Sequence, residues 1–272
     1  MLVPIGLLVV GTAVSVAAVV LTRRARASRH IRYHKAPMAG DIFGVIGTGF
    51  TVILAFVIFT SFESYQQARD EAGVESVATR QMESLTTYFP QQSRILLQGD
   101  LVCYGRAVVY DEWPLMASGR SSAVVDDWVV RIDTAMVEVP IQTAKETEVF
   151  NMWLERSDQR QEGRRGRLAV AVPLIPPFVW GMLVMLLALV ISYQVIFARS
   201  SQPLVPQAVG VAATAATLIA GMVVVYALDM PFADRGVAIA PIRMQATLSV
   251  LESQYQGSPE SLPCDATGRP RR

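Results

Sequence analysis

Charged residues are scarce in this sequence, which argues against an ordinary soluble enzyme. Only 17% of the 272 residues are charged, against about 25% in a typical soluble domain. The hydrophobic fraction of 52% excludes a disordered chain, and two cysteines are too few for a disulfide-dense secreted scaffold. The net charge of +1 gives no general attraction to nucleic acid, so no nucleic-acid partner is predicted.

Motifs for nucleotide-driven and hydrolytic chemistry are also missing. The sequence contains no G-x-x-x-x-G-K-[ST] loop, no G-x-S-x-G elbow and no paired C-x-x-C. No nucleophile–base set is expected at membrane depth, and no long apolar run carries the mid-depth acid or base that proton-coupled transporters usually need. We therefore predict neither an enzyme nor a bound cofactor.

Four long runs without ionisable residues predict an all-α, multi-pass membrane protein in a lipid bilayer. The runs cover 1–22, 42–62, 168–198 and 200–228. A helix needs about 20 mostly apolar residues to cross the hydrocarbon core, and a charge at the bilayer centre costs roughly 2.5–3.5 kcal/mol. The predicted transmembrane helices lie near 2–22, 42–62, 172–197 and 205–228. Spans 1 and 2 then form a region 1–62, and spans 3 and 4 a region 168–229.

A basic cluster after the first run predicts the orientation in the bacterial plasma membrane. The loop 23–41 contains six basic residues and one acid, Asp41. The positive-inside rule places this loop in the cytoplasm, and the N-terminus, 63–167 and 230–272 outside. Because the basic residues follow the apolar stretch, the first run is interpreted as an uncleaved anchor instead of a signal peptide.

The polar segment 63–167 predicts an extramembrane helical bundle between spans 2 and 3. Its prolines divide it into a continuation of the second span to Tyr88 and three helices, over 92–111, 122–138 and 141–167. Apolar residues recur at helical spacing, as in Val125, Trp128 and Ile132, and predict a buried face. We expect the last helix to run directly into the third span. The tail 230–272 is expected to form one short amphipathic helix, followed by disorder over 257–272.

Cys103 in the large loop and Cys264 in the tail are predicted to lie on the same side of the membrane, because an even number of spans separates them. Outside the cell the two thiols are able to form a disulfide. The alternative is two unrelated free thiols, since a sequence does not show whether the two approach within bonding distance.

His30 and His34 stand four residues apart, a spacing that holds divalent metals on one helix face. The surrounding basic residues repel cations, and basic residues next to a membrane more often contact lipid head groups. The sequence therefore favours a lipid contact, and no metal site is predicted.

Small and polar residues follow one face of the second apolar run. They are Gly44, Gly47, Thr48, Thr51, Ala55 and Ile58. Such a stripe lets helices pack closely, which is the favoured interpretation from the stripe alone. It also lines a narrow pore when several subunits surround an axis, with apolar side chains such as Phe50 or Ile58 as a constriction.

Three acids follow the second run and are candidates for a pore mouth. In a symmetric oligomer Glu63, Glu71 and Glu75 would form rings that gather cations. The alternative, which is favoured because charged helix faces are common, is a solvated face with local pairs such as Glu75 with Arg80.

Several fragments, in this order, resemble the bacterial DUF4239 family, which is labelled bestrophin-like. The fragments are Phe62-Glu63-Ser64-Tyr65, Ala68-Arg69, Glu75, Glu112-Trp113-Pro114, Arg164 to Arg167, Trp180 and Asp229-Met230-Pro231-Phe232. The resemblance covers residues 40–250.

Ala55-Phe56 through Tyr65, with Ala68-Arg69, also look similar to true bestrophins, which are pentameric anion channels whose second span lines the pore. This resemblance implies a homo-oligomer that conducts inorganic ions, with a hydrophobic neck at Phe50, Leu54 and Ile58. Two features depart from that family. Its large helical region is cytoplasmic, whereas charge bias puts 63–167 outside, and the acid run of its calcium clasp has no counterpart.

Two functions follow from these observations. The first is an oligomeric ion channel in which span 2 lines the pore through Thr48, Phe50, Thr51, Leu54 and Ile58. The alternative is a non-transport scaffold or accessory subunit whose outer bundle binds another envelope protein.

Overall fold

A computed structural model describes residues 2–29, 39–197 and 203–271, and every named regular element in these ranges is helical. The chain divides into two compact units. The first unit comprises Met1–Glu63, Leu174–Asp229 and Arg235–Val237, and the second comprises Ser64–Pro173, Met230–Asp234 and Ala238–Arg272. His30 and His34 lie outside the described residues.

The first unit is built from four helices that are long and apolar enough to cross a membrane. They are α1 (Leu2–Arg29), the first part of α2 (Ala39–Thr86), α7 (Pro177–Ile196) and α8 (Leu204–Leu228). The predicted class, an all-α multi-pass membrane protein with four transmembrane helices, is confirmed.

Apolar side chains and small residues hold these four helices together. Phe50 and Leu54 of α2 pack in one cluster with residues of α7 and α8 such as Leu183 and Leu218. Gly221 permits this approach, because a Cβ added there would lie 2.7 Å from a methyl carbon of Leu54. A polar contact also joins α7 to α8, where Gln194 Nε2 donates to Thr214 Oγ1 at 3.0 Å.

The second unit is a helical bundle that begins with the last part of α2. It contains the rest of α2, then α3 (Gln91–Ala107), a π-helix (Val108–Glu112), α4 (Trp113–Met116), α5 (Ala123–Val137), α6 (Ala144–Ala169) and α9 (Ile242–Gln254). Side-chain caps mark the N-termini of two of these helices. The Ser122 side chain caps α5, and Thr143 with Glu146 forms a capping box that starts α6.

The predicted apolar face of the bundle is confirmed as its core. Val125, Trp128 and Ile132 of α5 are buried and pack against α3 residues such as Leu101. The buried side chains of Phe89 and Trp153 meet edge-on, with ring centroids 6.2 Å apart.

The expectation that the last bundle helix runs directly into the third span is wrong. The helix α6 ends at Ala169, and α7 begins only at Pro177. Pro173, Pro176 and Pro177 lack backbone N–H groups and block helix propagation through this segment. Asp229 binds the backbone of this connection, because the Ile175 N–H donates to Asp229 Oδ1 at 2.9 Å.

The expected disorder over 257–272 is wrong for most of that range. We call residues 259–271 the C-terminal strap. The strap contains a 3₁₀ turn at Pro259–Ser261 and an antiparallel bridge between Cys264 and Pro270. Its order comes from long-range contacts with the second unit, which its local composition of Gly, Ser and Pro does not reveal.

Candidate functional site

The exposed face of α2 in the first unit combines small, hydroxyl-bearing and large apolar residues. Its members include Gly44, Val45, Thr48, Thr51, Val52, Ala55, Phe56, Phe59 and Phe62. Val45, Val52 and Phe59 are spaced by seven residues, or about two helical turns, so they lie in one line along the helix. All three are more than half exposed, at 75%, 63% and 56%.

The glycines of this face leave its backbone open. A Cβ added at Gly44 or Gly47 would meet no heavy atom of the described residues within 4 Å. These two glycines, with Phe43, Thr48, Thr51 and Val52, line a shallow groove. Within the described part of the chain, the α2 backbone at Gly44 and Gly47 therefore has no close neighbour.

The structure buries two residues of the predicted neck, Phe50 and Leu54, inside their own subunit. Phe50 has no exposed surface and Leu54 is 5% exposed, because both pack against helices of their own subunit. A side chain buried within its own chain cannot face a pore shared with other copies. Ile58 is half-buried against the same cluster, whereas Thr48 and Thr51 are exposed.

The three predicted mouth acids lie in different environments. Glu63 is exposed. Glu71 is half-buried with its carboxyl group over Gly166, where an added Cβ would overlap the carboxyl carbon. Glu75 is fully buried, so both its assignment to a pore mouth and its alternative as a solvated partner of Arg80 are wrong.

Glu75 belongs to a buried ionic cluster at the centre of the second unit. Its carboxylate accepts two hydrogen bonds from Arg167, at 2.6 Å from Nε and 2.9 Å from Nη2. It also accepts one from the Tyr104 hydroxyl at 2.7 Å. Burial, followed by the charge of Glu75, raises the pKa of Tyr104, so the phenol stays a hydrogen-bond donor.

Glu112 of the π-helix extends this cluster to a second arginine. Its carboxylate accepts from Arg167 Nη2 at 2.7 Å and from Arg164 Nη2 at 2.5 Å. Arg164 also donates to Asp126 Oδ1 at 2.7 Å. Burial acts to raise the pKa of Glu112, but the hydrogen bonds from Arg164 and the charge of Arg167 outweigh it and lower that pKa.

A separate buried acid lies on α3. Asp100 has no exposed side-chain surface, and its Oδ1 accepts from Nε of the half-exposed Arg131 at 2.9 Å. Burial raises the pKa of Asp100 to about 6, and Arg131 offsets only part of this effect. Sequence reasoning missed both this pair and the role of Arg167, although Glu75, Glu112 and Arg164 to Arg167 stand among the fragments of the family resemblance.

Cys103 and Cys264 form a disulfide in the structure, with Cα atoms 5.7 Å apart. Both cysteines are completely buried. The bond joins α3 to the C-terminal strap, so the two thiols are not free.

Among the described residues, no group of three or more His, Cys, Asp and Glu side chains is placed to hold a metal ion. The site therefore consists of a membrane helix face without ionisable groups in the first unit and a buried ionic cluster in the second.

Comparison with known proteins identifies the family. No curated protein sequence matches the chain. Its fold is similar to crystal structures of a bacterial bestrophin homologue from Klebsiella pneumoniae. One of them, phased with zinc, has a TM-score of 0.71 at 14% identity and covers 94% of this chain and 99% of the other. A structure of a point mutant of that homologue has a TM-score of 0.69 at 14% identity over the same shares. The Bestrophin-like domain model matches residues 8–239, and the chain therefore belongs to the Bestrophin-like family.

Proposed function

We propose that this protein is an oligomeric ion channel of the bacterial plasma membrane, without enzymatic activity, in which α2 of each copy lines a shared pore. The observation that carries the proposal is the exposed face of α2. Its groove brings together Gly44, Gly47, Thr48 and Thr51, which gives this face both an open backbone and hydroxyl groups. Such a groove suits a pore lining or a close contact with another helix.

The burial pattern of α2 moves the proposed pore lining to a new register. Thr48 and Thr51 keep their place, and Val52 and Phe59 replace Phe50 and Leu54. The Thr51 hydroxyl donates to the Gly47 carbonyl within the helix at 2.9 Å. The lining is thus mainly apolar, and in a symmetric assembly a ring of Phe59 side chains forms a dewetting constriction.

Glu63 gives the proposed pore a charged mouth. It is exposed and lies four residues, about one helical turn, beyond Phe59. A ring of such carboxylates concentrates cations next to the constriction, so we expect cations to pass more easily than anions.

We further propose that the N-terminus and the second unit face the outside of the cell. The basic loop 23–41 supports this orientation. The disulfide between Cys103 and Cys264 supports it independently, because such bonds persist in oxidising compartments. The narrower assignment to the DUF4239 branch belongs to this proposal and rests on the fragments quoted above.

A scaffold or accessory role is the second candidate function, and the surface of the second unit favours it. Val137, Val130 and Tyr110 are 80%, 65% and 55% exposed, which provides apolar contacts for another envelope protein. This function predicts a co-purifying subunit and no conductance.

Purified protein in planar bilayers tests the channel. We expect discrete conductance that increases in Phe59→Ala, because the smaller side chain widens and wets the constriction. The matched control is Phe178→Ala on α7, where the side chain is 75% exposed outside the proposed lining, and it should conduct like the wild type. Silence of the wild type across salts and voltages would exclude the channel.

A further inference from the structure

The C-terminal strap lies directly against the end of α3. Gly268 adopts a φ of +82°, and an added Cβ would overlap the backbone nitrogen of Ala107. The Trp128 indole N–H donates to the Gly268 carbonyl at 2.7 Å. Only glycine therefore fits this position, and the strap backbone is held between α3 and α5.

Charged groups fix the strap on both sides of Gly268. Arg106 Nη1 donates to the Asp265 carbonyl at 3.1 Å, and Arg269 pairs with Asp111 at 3.0 Å. The pair of Arg269 with Asp111 is partly exposed and contributes little by itself. The strap has little regular structure of its own, which leaves the disulfide as its strongest attachment.

The π-helix connects this strap to the buried ionic cluster. Asp111 contacts Arg269 of the strap, while the next residue, Glu112, accepts hydrogen bonds from Arg164 and Arg167. The strap thus contacts this five-residue segment through Asp111, which also accepts from the Ser122 hydroxyl at 2.5 Å, and buried arginines contact it through Glu112. Arg167 in turn binds Glu75 on α2.

We propose that the disulfide between Cys103 and Cys264 is a redox latch that keeps the strap on the π-helix and thereby holds Glu112 in the ionic cluster. Because both cysteines are buried, the strap first opens transiently and a thiolate of a dithiol reductant then attacks the S–S bond. The dithiol supplies two electrons and two protons. The S–S bond breaks, both cysteines become thiols, and the dithiol becomes a disulfide. The strap then opens locally, and the π-helix loses the contact of Asp111 with Arg269 and the packing of Gly268 against Ala107, while Ser122 still binds Asp111. The latch does not depend on whether the protein conducts ions.

Hydrogen exchange of the full chain in detergent tests the latch. We expect peptides covering 104–116 and 259–271 to exchange about tenfold faster after reduction with dithiothreitol, as local opening becomes easier. Peptides from α7 and α8 serve as internal controls and should not change. Equal exchange before and after complete reduction, verified by thiol labelling, would overturn the latch. Faster exchange of the strap alone would overturn its coupling to the π-helix.

Two variants separate the disulfide from the contacts of the strap. Cys264→Ser should show the fast exchange without reductant and no further response to it. Gly268→Ala should loosen the strap while the disulfide still forms, because its Cβ has no space against Ala107. It also keeps the latch testable if Cys264→Ser does not fold. If Gly268→Ala leaves the exchange of 104–116 unchanged, the strap does not support the π-helix and the proposal fails.

Discussion

Arg167 and Glu75 form a two-point ion pair in which neither side chain has any solvent-exposed surface. The pair joins positions 92 residues apart, from α6 to α2. Removing two charges from water is costly, so such a pair is stable only when its remaining hydrogen-bonding groups also have partners. Here the Tyr104 hydroxyl donates to Glu75, and Glu112 accepts from Arg167.

Breaking this pair should strongly destabilise the second unit. We expect Arg167→Leu to reduce the free energy of unfolding by about 3–5 kcal/mol, because the buried Glu75 carboxylate loses its arginine partner and Glu112 keeps only Arg164. Arg165→Leu is the matched control, since Arg165 is 71% exposed and its contact with Asp158 is 3.8 Å long. Denaturant titration followed by tryptophan fluorescence measures both. Equal losses in the two variants would contradict a central role for Arg167.

Asp100 should make stability fall as the pH rises from about 4 to 6. Its folded-state pKa is raised from 3.8 to about 6. The folded protein therefore binds this proton more tightly than the unfolded chain does. The resulting stabilisation is fully present below pH 3.8 and is lost as the pH rises through about 6. The size of the effect is about 3 kcal/mol.

Asp100→Asn isolates this effect from the other carboxyl groups. The stability of the wild type relative to Asp100→Asn should decrease between about pH 4 and 6 and level off above about pH 6. Unfolding titrations of both proteins across this range measure the difference. If the difference instead increased with pH, the pairing of Asp100 with Arg131 would dominate over burial.

Gly163 should not tolerate a methyl group. A Cβ at this position would lie 2.6 Å from the backbone nitrogen of Glu75 and 2.9 Å from the carbonyl oxygen of Glu71. Backbone atoms cannot move aside cheaply, so we expect Gly163→Ala to destabilise the protein by about 1–3 kcal/mol. The control is Gly181→Ala on α7, which has open space and should be neutral or mildly stabilising. Thermal unfolding distinguishes the two.

The two faces of α2 should respond differently to the same substitution. Phe50→Ala leaves a cavity inside the subunit and should cost about 3–5 kcal/mol of stability. Phe59→Ala should leave stability nearly unchanged and alter conductance. Parallel unfolding and bilayer recordings test both. A conductance change confined to Phe50→Ala would favour the neck predicted from the sequence over the register proposed here.

Glu63→Gln should lower the preference for cations. Neutralising the ring removes the negative potential at the mouth, so the reversal potential under a salt gradient should shift toward the value for anions. Arg69→Gln, also exposed on α2, serves as a charge-removal control at a different angle of the helix. A reversal potential that is unchanged in Glu63→Gln would place the acid away from the ion path.

Hydropathy predicts the transmembrane spans well because the hydrocarbon core requires about 20 mostly apolar residues in each of them. It does not show which face of α2 is buried. A membrane helix is apolar on all faces, so the sequence does not distinguish Phe50, which is buried, from Phe59, which is exposed. Only the packing of α7 and α8 decides between them.

Long-range pairing explains the errors at Glu75 and in the C-terminal strap. The sequence favours a solvated surface for Glu75 because acids are rarely buried without a partner. Its partner, Arg167, is distant in the sequence, as Cys103 is from Cys264. The strap composition is typical of a flexible terminus, and only its contacts with Trp128 and Cys103 order it.

The π-helix at Val108–Glu112 carries one more residue than an α-helical turn would hold. Deleting one residue there would rotate everything downstream by about 100°, and would present a different side chain to the two arginines. Chain length at this turn is consequently as constrained as the identity of the acid itself, and related sequences should show no gaps across it.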